Sequence, residues 1–335
     1  MAAGALLWMA GLVSARLSRE KRQKRRQSEQ RAVMKAFMAI LGGAGDATAQ
    51  LSPYQRRACL IAEALLETMA MVRGPDRQRL IQALEALSID SRLRSRLFTH
   101  DAPGRIASAE ALSVFPSRAT VAALESVWRR SRDPALRLAA IRSLIELGEA
   151  PTLRDVLGEL ESTGVDSLTF LPVLRRLALE RPAAAIEEIA NPERSPAVRA
   201  MLADALGATG DYAVLPALTH ALGDPALEVR TAAIRALRAL AHPAAEAGLA
   251  QALHDPRWEI RATACEAIGR IGAVNQIPRL TELLQDPAWW VRFRASDAMA
   301  QLGDKGVRSL RLAANAPVDV IRRAASLALA ERGLA

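Results

Sequence analysis

The feature that most constrains the fold of this chain is a short motif that recurs at a fixed spacing. Asp224-Pro-Ala-Leu-Glu-Val-Arg230 returns as Asp255-Pro-Arg-Trp-Glu-Ile-Arg261 and again as Asp286-Pro-Ala-Trp-Trp-Val-Arg292, at a period of 31 residues. Weaker copies follow at residues 317–322 and precede at 195–199 and 133–137. A fixed period of this length is typical of repeat proteins, in which each unit packs on its neighbours.

Each repeat has the pattern of two helices. Asp or Ser followed by Pro predicts a helix N-cap and first turn. The helix after the motif places Val229, Ile234 and Leu237 on one face, with alanines where helices approach closely. Glycines near the helix ends are predicted to supply C-caps and turns, namely Gly207, Gly269, Gly272 and Gly303. The preceding helices are predicted at residues 214–222, 245–253 and 276–284. The pattern therefore predicts an all-α fold, a right-handed α-solenoid of helix pairs.

Composition supports helices over a β-sandwich or a barrel. Only 4% of the residues are aromatic, and Ala, Leu and Arg are abundant. The two cysteines, Cys59 and Cys265, are too few for a disulfide framework or a four-cysteine zinc site.

At these motifs the sequence resembles the HEAT-repeat family, and the 31-residue period resembles its phycobilin-lyase-type branch. The resemblance is clearest over residues 183–334, and we expect about seven repeats within residues 101–335. It implies that the motif residues form an inter-repeat ladder of ion pairs. The implied ladder consists of Asp224, Asp255 and Asp286 with Arg199, Arg230, Arg261 and Arg292.

The positive charge of the chain is concentrated near its N-terminus. Residues 16–31 hold eight basic and two acidic side chains, which is +6 of the net charge of +9. They follow an uncharged segment, residues 2–15, and the positive-inside rule then predicts a short anchor in a bacterial inner membrane with the solenoid on the cytoplasmic side. A cleaved signal peptide, a peripheral helix on anionic lipid, and a terminus packed on the protein itself stay open.

The anchor hypothesis predicts membrane or lipid contacts along both segments. The residues expected to make them are Leu6, Leu7, Trp8, Leu12, Val13, Arg16, Arg19, Lys21, Arg22, Lys24, Arg25 and Arg26. Residues 32–100 lack the motif but contain helical patterns at 34–41, 56–72 and 77–87, so we expect a helical N-terminal cap before the solenoid.

Nucleic acid is a disfavoured partner despite the basic composition. Five residues after each motif arginine stands a row of mixed charge, formed by Arg142, Asp204, Arg235, Glu266 and Asp297. Such a row favours inter-repeat ion pairs over a track for phosphates.

Catalytic patterns are weak. The four histidines, His100, His220, His242 and His254, are scattered, and none is followed by the Glu on which the iron enzyme deoxyhypusine hydroxylase of this repeat class depends. No P-loop, dinucleotide fingerprint or Cys-x-x-Cys motif occurs in the sequence. We therefore expect no catalytic, cofactor or metal site.

Aromatic residues mark the candidate binding surface. Trp258 and Trp289 occupy one repeat position, with Leu227 equivalent to them, while Trp290 follows and Arg294 lies one turn further. If exposed, these residues form a stripe suited to a protein partner, whereas the alternative is packing on the previous helix.

The sequence thus favours a non-catalytic, membrane-tethered scaffold that binds a protein, and the expected partner is another inner-membrane protein. A regulatory or lyase-like enzyme subunit and a nucleic-acid-binding solenoid are the alternatives.

Overall fold

The fold is all-α, as the sequence predicts. The computed structural model describes residues 2–43, 47–99, 102–163 and 167–334, and every regular element in these ranges is a helix. Within them, the side chains of residues 2–15, 17–19, 22, 47–48, 102–103, 163 and 167–168 lie outside the description, as does His100.

The described part of the chain forms twenty α-helices, several of them joined by 3₁₀ turns. The helices are α1 (Ala2–Leu41), α2 (Ala47–Leu51), α3 (Ala58–Met69), α4 (Pro75–Ala86), α5 (Ile89–Arg96), α6 (Ala102–Ala111), α7 (Arg118–Arg130), α8 (Pro134–Glu146), α9 (Leu153–Thr163), α10 (Ser167–Glu180), α11 (Pro182–Ile189), α12 (Pro196–Gly207), α13 (Leu215–Ala221), α14 (Leu227–Leu240), α15 (Glu246–Ala252), α16 (Trp258–Ile271), α17 (Ile277–Glu282), α18 (Trp289–Gln301), α19 (Gly303–Ala313) and α20 (Asp319–Glu331).

The chain divides into two compact units, Met1–Pro151 and Thr152–Ala335. In the first unit α3 packs on α1 and α6, and α6 packs on α8. Its core includes the fully buried side chains of Phe37, Leu65 and Leu93.

The second unit is a stack of helix pairs. The helices that follow the motif form one layer, in which α12 contacts α14, α14 contacts α16, α16 contacts α18 and α18 contacts α20. Their partners α11, α13, α15, α17 and α19 each pack on the next helix of this layer. Contacts between successive repeats thus build one continuous core, which is the architecture of an α-solenoid.

Two of the glycines predicted to end helices do something else. Gly272 ends α16 with a φ of +73° as expected, whereas Gly207 and Gly269 keep helical backbone. A Cβ on Gly207 would lie 2.5 Å from the Cβ of Ala236, and one on Gly269 would lie 3.0 Å from the Cα of Ala298. The turn prediction is therefore wrong for this pair, because their lack of a side chain is needed where neighbouring repeats touch.

The prediction of an N-terminal membrane anchor is wrong. Within the described residues we find no helix with enough length and apolar character to cross a bilayer. The uncharged and basic segments are parts of one helix, α1, in which the fourteen uncharged residues 2–15 cover only about 21 Å against a hydrocarbon core of about 30 Å. The predicted inner-membrane localisation depended on this anchor and is corrected together with it.

The membrane and lipid contacts predicted along both segments are not tested by the structure and stay a prediction. They had been expected of Leu6, Leu7, Trp8, Leu12, Val13, Arg16, Arg19, Lys21, Arg22, Lys24, Arg25 and Arg26. Some of the basic side chains bind carboxylates of the protein. Arg16 pairs with Glu20 on the same helix at 3.2 Å, and Arg26 reaches Glu63 of α3 at 2.5 Å.

Candidate functional site

A ladder of ion pairs connects successive repeats of the second unit. Arg199 binds Asp224 through two hydrogen bonds of 2.9 and 3.0 Å. Arg261 binds Asp286 in the same way at 2.7 and 2.9 Å. Between them, Arg230 lies 2.9 Å from Asp255. Each pair joins the motif arginine of one repeat to the motif aspartate of the next, and these side chains are largely buried.

The ladder aspartates do not cap helices in the predicted way. At the weaker copies, Asp133 accepts a hydrogen bond from the N–H of Ala135 and caps α8, and Ser195 caps α12. At the strong copies the helix begins later, and Asp224 accepts instead from the N–H of Ala226, before the first turn of α14. The predicted N-cap is wrong there because both carboxylate oxygens of Asp224 also bind the arginine of the preceding repeat.

The environment keeps two of the ladder aspartates, Asp224 and Asp286, ionised. Burial alone would raise the pKa of Asp224, but the hydrogen bonds from Arg199 and the Ala226 N–H, with the charges of Arg199 and Arg230, hold it below its ordinary value. The pKa of Asp286 is lowered by the same balance, in which Arg261 and the Ala288 N–H outweigh burial. Asp224 and Asp286 are therefore held in ion pairs and offer no general acid or base near neutral pH.

The ladder stops at Arg292, contrary to the expectation that this residue continues it. Its Nη1 donates to the carbonyl oxygens of Asp286 and Pro287 at 2.8 and 3.1 Å, as Arg261 does to its own motif. No carboxylate of the described residues lies within ion-pair distance of Arg292. The next repeat has Ala316 at the position of the ladder aspartates. The two positions are equivalent, since the Ala316 carbonyl accepts from Arg322 as the Asp286 carbonyl accepts from Arg292.

Beside this end of the ladder, an aromatic cluster formed by Trp289, Trp290 and Phe293 lies at the start of α18. The rings of Trp289 and Trp290 meet edge to face with centroids 4.7 Å apart, and Trp289 stacks on Phe293 at 5.3 Å. Both tryptophans are 49% exposed, and Trp258 on the neighbouring repeat is 41% exposed. The tryptophans thus pack partly on their own helix and present about half of their surface to solvent.

A groove of about 290 Å³ connects the aromatic cluster with the preceding repeat. Trp258, Trp290 and Arg294 line it together with Glu259 and Glu266. The guanidinium of Arg294 lies 5.7 Å from the centre of the Phe293 ring and 4.0 Å from Glu266. The structure therefore brings together four of the five residues that the sequence singled out, since Trp289 contacts Trp290.

Leu227 does not share this exposure, although it occupies the equivalent repeat position. It is half-buried at the start of α14. An aliphatic side chain is smaller than indole and leaves less surface beyond the neighbouring helix.

A second groove, of about 310 Å³, lies on the other side of the aromatic cluster. Its lining contains three residues that the sequence analysis missed, Phe293, Val320 and Leu327. It also contains Trp289 and Arg292, the latter expected only as a ladder residue. Two signals could have identified two of the missed residues: Phe293 stands one helical turn after Trp289, and Val320 occupies the position of Trp290 when Ala316–Arg322 is aligned with Asp286–Arg292.

Four of the five residues of the mixed-charge row form ion pairs between repeats, as the sequence suggested. Arg235 binds Asp204 at 2.9 Å, while Glu266 pairs with Arg238 and Asp297 with Arg332. These guanidinium groups are thus occupied by carboxylates of the same protein.

Other cavities and titratable residues offer little for catalysis. Across the described ranges no three His, Cys, Asp or Glu side chains lie close enough to hold a metal ion. A cavity of about 570 Å³ has Arg199 and Asp224 in its wall, but these two are already paired. Burial raises the pKa of the Cys265 thiol far above its ordinary value, so this cysteine is not a nucleophile.

Comparison with known proteins identifies the repeats. Residues 182–247 and 246–330 match the model for HEAT repeats. No curated protein sequence matches the chain.

Solved structures show the fold that these repeats adopt. Kap121p is similar at 14% identity with a TM-score of 0.52, over 89% of this chain and 43% of that one. Kap95p, in a structure with RanGDP, gives 14% identity and a TM-score of 0.53, over 85% of this chain and 45% of that one. The chain thus spans less than half the length of either. The CpcE and CpcF complex of phycocyanin lyase from Nostoc matches at 22% identity with a TM-score of 0.35, over 62% of this chain and 74% of that one. Residues 182–330 are therefore HEAT repeats within an all-helical α-solenoid fold.

Proposed function

We propose that this protein is a non-catalytic scaffold that binds a protein partner through the tryptophan-rich surface of its last repeats. The observation that carries the proposal is the position of Trp258, Trp289 and Trp290, which lie on adjacent repeats with 41%, 49% and 49% of their surface exposed. Tryptophan and arginine are enriched among the residues that dominate binding energy at protein interfaces.

The packing of the aromatic cluster supports recognition over a purely structural role. The Trp289 ring is held by Trp290 and Phe293, so its orientation is largely fixed before a partner arrives. A rigid aromatic anchor loses little conformational entropy on binding, which favours affinity. Two grooves flank the cluster and supply concave surface for side chains of a partner.

The experiment is quantitative capture of partners from cells that produce the protein, with tagged wild type compared with Trp290→Ala. We expect the specific partner to fall by about tenfold or more, as for a residue that dominates an interface. The melting temperature should stay nearly unchanged, because half of the side chain is in solvent. Leu312→Ala is the matched control, since Leu312 is 77% exposed on α19, outside the motif layer.

Two results would contradict the proposal. Equal capture by wild type and Trp290→Ala would remove the tryptophan surface from partner binding. A large fall in melting temperature would instead assign Trp290 to the core.

A further inference from the structure

We propose that the groove beyond the aromatic cluster binds an aspartate side chain from an acidic segment of a protein partner, with Arg292 as its ion-pair partner. This inference rests on the proposed function and names the chemistry that the surface selects. The groove is lined by Trp289, Arg292, Phe293, Val320 and Leu327.

The first step is the unused half of the Arg292 guanidinium. In the complete rungs, Nη1 of the arginine binds carbonyl oxygens of its own motif, while Nε and Nη2 bind the carboxylate of the next repeat. Arg292 makes the carbonyl bonds at 2.8 and 3.1 Å but has no carboxylate. Its Nε and Nη2 edge is therefore built like that of Arg261, without the group that Arg261 binds.

The second step is the residue at the vacant rung. Ala316 donates its N–H to the carbonyl three residues earlier at 3.0 Å, as Asp286 does at 3.1 Å. Its own carbonyl accepts from Arg322 at 3.2 Å, six residues later, as that of Asp286 accepts from Arg292. Ala316 thus has the backbone role of a ladder aspartate and lacks only the carboxylate.

The third step is the charge of the groove. Asp319 is the one carboxylate in its lining, and it is engaged by Arg322 at 2.5 Å and Arg323 at 2.7 Å. The lining of the groove therefore holds two guanidinium groups, those of Arg292 and Arg323, and one carboxylate that is already bound. An acidic ligand complements this charge, and a paired guanidinium fork selects a carboxylate in particular.

The fourth step is the apolar wall beside Arg292. Trp289 is 49% exposed, and Val320 and Leu327 are each 43% exposed. In two of the three rungs, the bound aspartate is followed by proline and alanine, as in Asp224-Pro-Ala and Asp286-Pro-Ala. We therefore assign the groove to an aspartate followed by apolar side chains that lie on Trp289 and Phe293.

The test uses the full chain and a fluorescent peptide, acetylated and amidated, with the sequence Asp-Pro-Ala-Leu-Glu-Val of residues 224–229. Blocked ends remove terminal charges, so a carboxylate can come only from a side chain. Fluorescence anisotropy is expected to give saturable binding, and an Asn-Pro-Ala-Leu-Glu-Val peptide should bind about tenfold more weakly because a charge-assisted pair is lost.

Two variants examine the protein side. Arg292→Gln should weaken the Asp peptide by about tenfold, while Arg308→Gln, an exposed arginine on α19, should leave binding unchanged. Ala316→Asp should also weaken the peptide, since the new carboxylate completes the rung from within the chain. Ala316→Asp should hold or raise the melting temperature, which separates occupation of Arg292 from misfolding.

The outcomes distinguish this inference from the proposed function. No binding of the Asp peptide to wild type, or equal binding to wild type, Arg292→Gln and Ala316→Asp, overturns the inference. If Trp290→Ala nevertheless loses its captured partner, the proposed function stands without an acidic determinant. If Trp290→Ala keeps its partner, the proposed function itself fails, whatever the peptide does.

Discussion

At the scale of single residues, one repeat position specifies a backbone conformation that only three of its four occupants suit. Gly210, Ala241, Gly272 and Gly303 follow one another at the 31-residue period, and all four have positive φ. Ala241, which ends α14, has a φ of 50° and a ψ of 37°. A left-handed conformation costs an L-residue about 1–2 kcal/mol because its Cβ crowds the carbonyl oxygen. Ala241 is therefore a strained residue in an otherwise regular series.

Ala241→Gly is expected to increase the free energy of unfolding by about 1 kcal/mol, because glycine adopts this conformation without the Cβ penalty. Chemical denaturation monitored by circular dichroism measures the change. Gly272→Ala is the reciprocal control and should lower stability by a similar amount. A loss of stability in Ala241→Gly would show that the flexibility that glycine adds to the unfolded chain outweighs the relief of strain.

The same repeat positions show why the site was only partly predictable from sequence. Periodicity identifies which residues are equivalent, and it correctly brought together Trp258, Trp289 and Trp290. It does not say how much of each side chain the neighbouring helix covers, so Leu227 is less exposed than Trp289 at the equivalent position. Arg292 was missed as a binding residue because its motif is intact, and the difference lies in Ala316 of the next repeat.

At the scale of helices, the ladder couples each motif helix to the preceding repeat, and its strength depends on pH. Because the pKa values of Asp224 and Asp286 are lowered in the folded chain, the unfolded chain takes up protons first on acidification. The stabilisation is therefore present above the ordinary aspartate pKa of about 3.9 and is lost as the pH falls through the folded values.

Asp286→Asn should lower the free energy of unfolding near pH 7 by about 1–2 kcal/mol, since a charge-assisted pair with Arg261 becomes a neutral one. It should also flatten the fall of stability between about pH 5 and pH 2, because the titrating group is gone. Denaturation at a series of pH values measures both effects. Asp304→Asn changes an exposed carboxylate on α19 and should alter neither. An acid profile identical to that of wild type would remove Asp286 from the acid response.

Helix positions were easier to predict than the roles of individual helix ends. The predicted helix at residues 245–253 is found at Glu246–Ala252, because apolar periodicity and proline together define such segments. Gly269 was assigned to a turn because a glycine near a helix end usually is one. Its actual role, contact with Ala298, depends on the neighbouring repeat and could not be derived from local sequence.

At the scale of the whole molecule, the sequence predicted a solenoid and an N-terminal anchor, and only the solenoid is found. Every copy of the motif adds evidence for the repeat, so a deviating residue in one copy does not hide the pattern. The anchor depended on one uncharged stretch of fourteen residues, 2–15, which is too short for a bilayer and continues into a highly charged helix. Single segments therefore carry less information about topology than recurring ones.

The second unit is expected to fold without the first, because its core is built from its own stacked helices. In a solenoid, stability is approximately the sum of repeat stabilities and nearest-neighbour interfaces. A chain of residues 152–335 should therefore show a helical circular dichroism spectrum and a cooperative thermal transition. A chain of residues 208–335 loses α12 and with it both the Gly207–Ala236 contact and the Arg199–Asp224 pair, so its melting temperature should be lower. If residues 152–335 gave no cooperative transition, the nearest-neighbour account of this unit would be wrong.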